Sequence, residues 1–133
     1  MSEKLPEAEP VMRVPATPMQ ANTGGDIFGG WLMSQVDIAG SIPAVLRARG
    51  RVVTRAVKEM SFLKPVYVGD MVSLYAEVRE TGRTSITVEV QVYAQRNPVA
   101  LETHRISDAR LTYVAVDEKG RPRPLPDAGP ETG

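Results

Sequence analysis

Asn22-Thr-Gly-Gly-Asp-Ile-Phe-Gly-Gly-Trp-Leu-Met-Ser-Gln-Val-Asp37 is a glycine-rich loop that runs straight into an apolar helix carrying a carboxylate. Gly24, Gly25, Gly29 and Gly30 let backbone N–H groups approach a ligand closely. A helix that starts near Gly29 or Gly30 adds the positive end of its dipole, so the segment predicts an oxyanion-binding corner at the Gly30 amide. Asp37 then lies about two turns along, roughly 10 Å from the helix start at ~1.5 Å per residue. A bound acyl group can span that distance.

Working outward, Leu32, Val36, Ala39, Ile42 and Leu46 recur at three and four residues and predict one apolar stripe on a helix over 30–49. Pro43 has no N–H for the Ala39 carbonyl, which predicts a kink or early end, with Gly50 as the stop. Beyond Gly50 the apolar period changes to two. Strands are expected over 51–62, 71–80, 86–95 and 101–116, separated by turns at Val68-Gly69-Asp70, Thr81-Gly82-Arg83 and Asn97-Pro98, with a last turn at Asp117-Glu118-Lys119-Gly120. Residues 11–17 form a short edge strand limited by Pro15 and Pro18. The fold class is α+β, with one long helix packed on an antiparallel sheet over residues 11–121 between tails at 1–10 and 122–133. Phe28 and Trp31 are expected in the core. One helix leaves strand edges and apolar surface uncovered, so a homodimer is the minimum assembly.

The chain has 133 residues, enough for one domain, and its 16 basic and 16 acidic side chains cancel. No global field steers it toward nucleic acid or an anionic membrane, and any anionic ligand must be held locally. With 0 cysteines, disulfides, thiolate metal sites and a Cys nucleophile are excluded together. The acidic start carries no long apolar run, so neither a signal peptide nor a membrane span is expected, and the location expected is the cytoplasm.

Five ordered motifs sharpen this reading: Gly-Asp-Ile-Phe-Gly-Gly-Trp at 25–31, Met-Ser-Gln-Val-Asp at 33–37, Gly-Arg-Val-Val-Thr at 50–54, Phe-Leu-Lys-Pro-Val at 62–66 and Val-Gly-Asp at 68–70. Together they resemble the YciA-type acyl-CoA thioesterases of the hotdog fold, over nearly the whole chain. The resemblance implies hydrolysis of an acyl-CoA thioester without metal or organic cofactor. It implies that Asn22 matches the loop asparagine and Asp37 the helix carboxylate, and that each site combines Asn22 of one subunit with Asp37 of the other. A trimer of dimers is the assembly it implies.

The chemistry also follows from the residues. A thioester carbonyl needs an oxyanion stabiliser and a group that activates water or attacks directly; the Gly30 amide suits the first and Asp37, as general base or nucleophile, the second. Asn22 can orient water or the carbonyl. Phosphates of CoA call for basic groups or backbone donors, which makes Lys64, Arg83, Thr84 and Ser85 the candidates, with Arg51 and Arg55 weaker ones. The strand edge at Ala56 and Val57 can bond the peptide-like pantetheine amides.

Plainer roles compete with several of these. Asn22 is a natural turn former, and Asp26 is expected as the helix N-cap rather than a catalyst. His104 is expected to face solvent, which leaves no Ser-His-Asp triad. A hotdog hydratase pairs its Asp with a His on the loop or helix, and neither segment has one. A non-catalytic acyl-CoA sensor would carry a DNA-binding segment, and none is visible.

Overall fold

A computed structural model describes residues 3–128. The elements are β1 (Met12–Pro15), a 3-10 turn (Pro18–Gln20), α1 (Gly29–Ala48), β2 (Val52–Phe62), β3 (Met71–Thr81), β4 (Ser85–Arg96) and β5 (Glu102–Ala115). The strands form one antiparallel sheet in the order β1-β3-β4-β5-β2. β1 and β2 are therefore its edges.

Helix and sheet meet as the periodicities demand. Val72 and Leu74 on β3, Ile86, Val88, Val90 and Val92 on β4, and Ala109, Leu111 and Tyr113 on β5 form the core under α1. Along β4 the intervening Thr87, Glu89, Gln91 and Tyr93 turn to the opposite face, as a period of two requires. On that outer face Arg79 donates to Glu89 across the strands at 2.8 Å, which holds the Glu89 carboxyl below its usual range.

The helix departs from its expected stripe. Leu32, Val36 and Ala39 are buried, but the buried face then continues through Gly40, Ala44 and Ala48, while Ile42 is 36% exposed and Leu46 74%. The reason is close approach: a Cβ on Gly40 would stand 2.4 Å from the Tyr113 hydroxyl. Small residues let the helix settle onto β5, and the large apolar residues turn outward. Ile38, Ile42 and Val45 make a second, exposed apolar stripe at four- and three-residue spacing.

Pro43 does not end the helix, which continues to Ala48. Nor is Gly50 its left-handed terminator: Arg49 takes that conformation at φ 53°, and its N–H bonds the Val45 carbonyl. Gly50 is needed for space instead, since a Cβ there would lie 2.7 Å from the Arg123 guanidinium. Phe28, expected in the core, is 54% exposed, whereas Trp31 packs against the core partly buried.

The ends are more ordered than tails. Arg123 N–H bonds the Ala115 carbonyl and Leu125 N–H the Arg83 carbonyl, both at 2.9 Å, and Leu125 packs on the core. At the other end Glu3 N–H bonds the Thr103 carbonyl at 2.7 Å. The parts of the expected tails at residues 1–2 and 129–133 lie outside the described residues.

Candidate active site

The glycine loop is pinned from within and from below. Asn22 Oδ1 accepts the N–H groups of Gly24 (2.8 Å) and Asp26 (3.2 Å), and Asn22 N–H bonds the Asp26 carbonyl. Below it, Ile27 N–H bonds the Val66 carbonyl, next to a tight turn in which Gly69 adopts φ 92° and Asp70 N–H bonds Tyr67 O. That turn is locked by buried Asp70, which takes the Arg96 guanidinium at 2.9 Å and the Tyr67 N–H at 3.0 Å. Asp26 is thus a loop-closing residue and not the N-cap. The N-cap is Phe28, which has no side-chain bond to offer. The first N–H groups of α1, at Gly29 and Gly30, consequently have no intrahelical or capping acceptor and point out of the helix start.

Asn22 is therefore a turn former, and it keeps a function in reserve. With Oδ1 occupied by two N–H donors, its Nδ2 group has no partner among the described residues and borders a cavity of about 350 Å³ with Gly29, Leu32, Phe62, Lys64 and Pro65.

Asp37 lies elsewhere in the protomer. It borders a separate apolar cavity of about 230 Å³ with Met33, Ser34, Val36, Val57, Met60 and Leu111. Two paired residues of β2 and β5 fix it: Thr54 Oγ1 donates to Asp37 Oδ1 at 2.6 Å, and the Tyr113 phenol donates to the Asp37 carbonyl at 2.7 Å. Burial pushes the Tyr113 hydroxyl far above its ordinary range, and the neighbouring Asp37 charge adds to this. Tyr113 therefore remains a protonated donor at any working pH, while one oxygen of the carboxylate is left to face the cavity. Sequence reasoning missed Thr54 and Tyr113 as supports of Asp37. The sole signal for Thr54 was its place at the end of the motif at 50–54.

Thr54→Val keeps the shape and removes the hydroxyl, and we expect it to lower kcat by about tenfold or more with a smaller change in KM. A hydrogen bond to a charged group is worth ~1.5–3 kcal/mol, and here it orients the reacting carboxylate. Steady-state kinetics beside a thermal melt would measure this; unchanged kcat would make the bond incidental.

The remaining candidates divide between two ends of the sheet. Lys64, just past β2, lies with Asn22, and its Nζ meets Nδ1 of His104 at 3.4 Å. His104 is accordingly not free in solvent: its side chain is 18% exposed and its Nε2 meets Glu102 at 3.0 Å. Arg83, Thr84 and Ser85 lie at the opposite end, where the Thr84 carbonyl takes Ala115 N–H and Ser85 pairs with Val114. Phe62 pairs with Ser107 and Val52 with Ala115, so the two ends are about 26 Å apart along β5. Ala56 and Val57 lie midway on the exposed edge strand, where bulges at Arg55 and Lys58 break the ladder. A single protomer brings together neither Asn22 with Asp37 nor Lys64 with Arg83. Among the described residues no three His, Cys, Asp or Glu side chains converge as a metal site requires, and no helix is long and apolar enough to cross a membrane.

A long helix lying across one antiparallel sheet, with a loop and carboxylate pair at its start, defines the hotdog class. The chain belongs to the thioesterase superfamily, whose family model matches residues 24–101. The acyl-CoA thioester hydrolase YciA of Salmonella typhimurium is 46% identical over 96% of this chain and 97% of its own length. That of Escherichia coli K12 is 44% identical, covering 94% of this chain and 96% of its own length. Among solved structures, a hexameric thioesterase from Yersinia pestis matches 92% of this chain and 99% of its own at TM-score 0.85 and 51% identity. An acyl-CoA hydrolase of Staphylococcus aureus, solved with butyryl coenzyme A and coenzyme A, matches at TM-score 0.80 and 30% identity over 92% of this chain and 74% of its own. The Staphylococcus aureus enzyme has also been solved as an Asp→Ala and as a Thr→Ala variant, at positions 17 apart, the same separation as that between Asp37 and Thr54.

Proposed function

We propose that this protein hydrolyses acyl-CoA thioesters to a carboxylic acid and CoA, at sites that pair the Asn22 loop of one subunit with Asp37 of another. The observation that carries the reading is Asp37 itself, aimed by Thr54 and Tyr113 into an apolar cavity in a chain of the thioesterase superfamily. Acting as general base, Asp37 takes a proton from water, and the hydroxide adds to the thioester carbonyl. The oxyanion that forms is met by the free Gly29 and Gly30 N–H groups. Collapse breaks the C–S bond, and the proton passes to the departing CoA sulfur. Acting as nucleophile, the carboxylate would add to the carbonyl itself and form an anhydride that water then opens.

A two-subunit site is supported by the separation of Asn22 from Asp37 within one protomer and by the exposed Ile38-Ile42-Val45 stripe beside the unpaired edge of β2. The hexameric relatives make a trimer of dimers the natural assembly. No step needs a metal or organic cofactor, and nothing in the scheme needs a membrane or nucleic acid; we place the reaction in the cytoplasm. Purified protein incubated with short, medium, long and aromatic acyl-CoAs, with chelator present, should release free thiol from at least one. Silence on every one would favour a non-catalytic acyl-CoA binder.

A further inference from the structure

The basic side chains of this electroneutral chain concentrate at one place that no catalytic argument uses. Where α1 ends, a groove of about 660 Å³ is lined by Arg49, Arg51, Lys119, Arg121 and Arg123, against only Asp117 and Glu118. Five cations face two acids.

The groove is built rather than incidental. The chain beyond β5 turns back at Gly120, and Arg123 donates to the Val116 and Ala48 carbonyls at 3.0 Å each, crossing a Gly50 that has no room for a side chain. Asp117 is consumed internally. It accepts the N–H groups of Lys119 and Arg121 at 2.9 Å and the Arg121 guanidinium at 3.2 Å, and these bonds hold its carboxyl below the usual range. Arg49, Arg51 and Lys119 have no carboxylate within ion-pair distance among the described residues. These three are left to meet an anion from outside.

Distance identifies which anion. Arg51 precedes Thr54, the residue bonded to Asp37, by three strand positions, about 10 Å. Arg49 follows Asp37 by twelve helical positions, about 18 Å. Between the thioester sulfur of an acyl-CoA and its first phosphorus lie about thirteen bonds, the length of roughly four extended residues or about 15 Å. Lys64 of the same protomer is about ten residues beyond Thr54 and out of that reach.

We infer that this groove holds the phosphorylated adenosine end of the acyl-CoA whose thioester lies at Asp37 of the same protomer, with Arg49, Arg51 and Lys119 meeting the phosphates. The inference rests on the thioesterase reading for its choice of ligand, but it can be tested without turnover. Adenosine 3′,5′-bisphosphate carries the nucleotide and its phosphates without the pantetheine arm, and its binding can be followed by calorimetry. It should bind the unaltered protein, more weakly as salt rises. The combined variant Arg49→Asn/Arg51→Ala/Lys119→Ala, in which Asn keeps the left-handed backbone of position 49, should bind it about tenfold more weakly or worse. Lys119→Arg keeps the charge and should keep the binding. In turnover, the triple variant should lose about tenfold of its preference, in kcat/KM, for acyl-CoA over the matching acyl-pantetheine. Equal bisphosphate affinity in the triple variant, or no binding by the unaltered protein, would overturn the inference. Bisphosphate binding that depends on these residues in a protein that hydrolyses no thioester would instead sink the thioesterase reading and leave the anion site standing.

Discussion

Asp37→Asn is expected to lower thioester turnover by about 10²-fold or more without unfolding the protein. The amide has the shape of the carboxylate, so Thr54 Oγ1 keeps an oxygen to donate to, and the Tyr113 bond is to the backbone and is untouched. What disappears is the charge. A neutral amide neither takes a proton from water nor attacks a carbonyl, so the loss should fall on kcat, while KM, set largely by CoA contacts elsewhere, moves less. Thiol-release kinetics with a melting curve on the same preparation would measure both effects. A variant that turns over normally would exclude Asp37 as base and as nucleophile together.

The architecture was largely legible because two periods divide the chain at Gly50. Ile86 to Ala94 alternates without interruption, and it became β4, flanked by strands on both sides and with every even position in the core. The helix limits were legible too, yet its buried face was not. Hydrophobicity favoured Ile42 and Leu46, whereas packing favoured Gly40, Ala44 and Ala48, because contact with Tyr113 selects for small size. A chain with two apolar helix faces does not state in its sequence which one its own sheet will take.

The site was legible by type and not by place. Asn22 and Asp37 stand out as an amide and an acid around a glycine loop, but their separate cavities follow from tertiary geometry. Thr54 and Tyr113 lie 59 residues apart in sequence and become neighbours only when β2 pairs with β5, bulges at Arg55 and Lys58 included. Asp26 resembled an N-cap because acids before helices commonly are. Here its backbone closes the loop with Asn22, and the helix start is left bare for a ligand. The order in residues 122–126 was hidden because proline-rich composition reads as tail, although Arg123 and Leu125 each find carbonyls to bond.

The most direct test of the two-subunit active site is complementation between two defective chains. One carries Asp37→Ala. The other carries Asn22→Asp, which keeps the Oδ1 acceptor for Gly24 and Asp26 N–H and removes the free Nδ2 donor. Each refolded alone should be nearly inactive. If Asn22 and Asp37 of different subunits meet, a mixed dimer holds one site with both defects and one with neither. With random pairing about half the dimers are mixed and half of their sites intact, so co-refolded chains should recover roughly a quarter of unaltered activity. No recovery, with mixed dimers verified by mass, would show that both residues act within one chain and contradict the shared site.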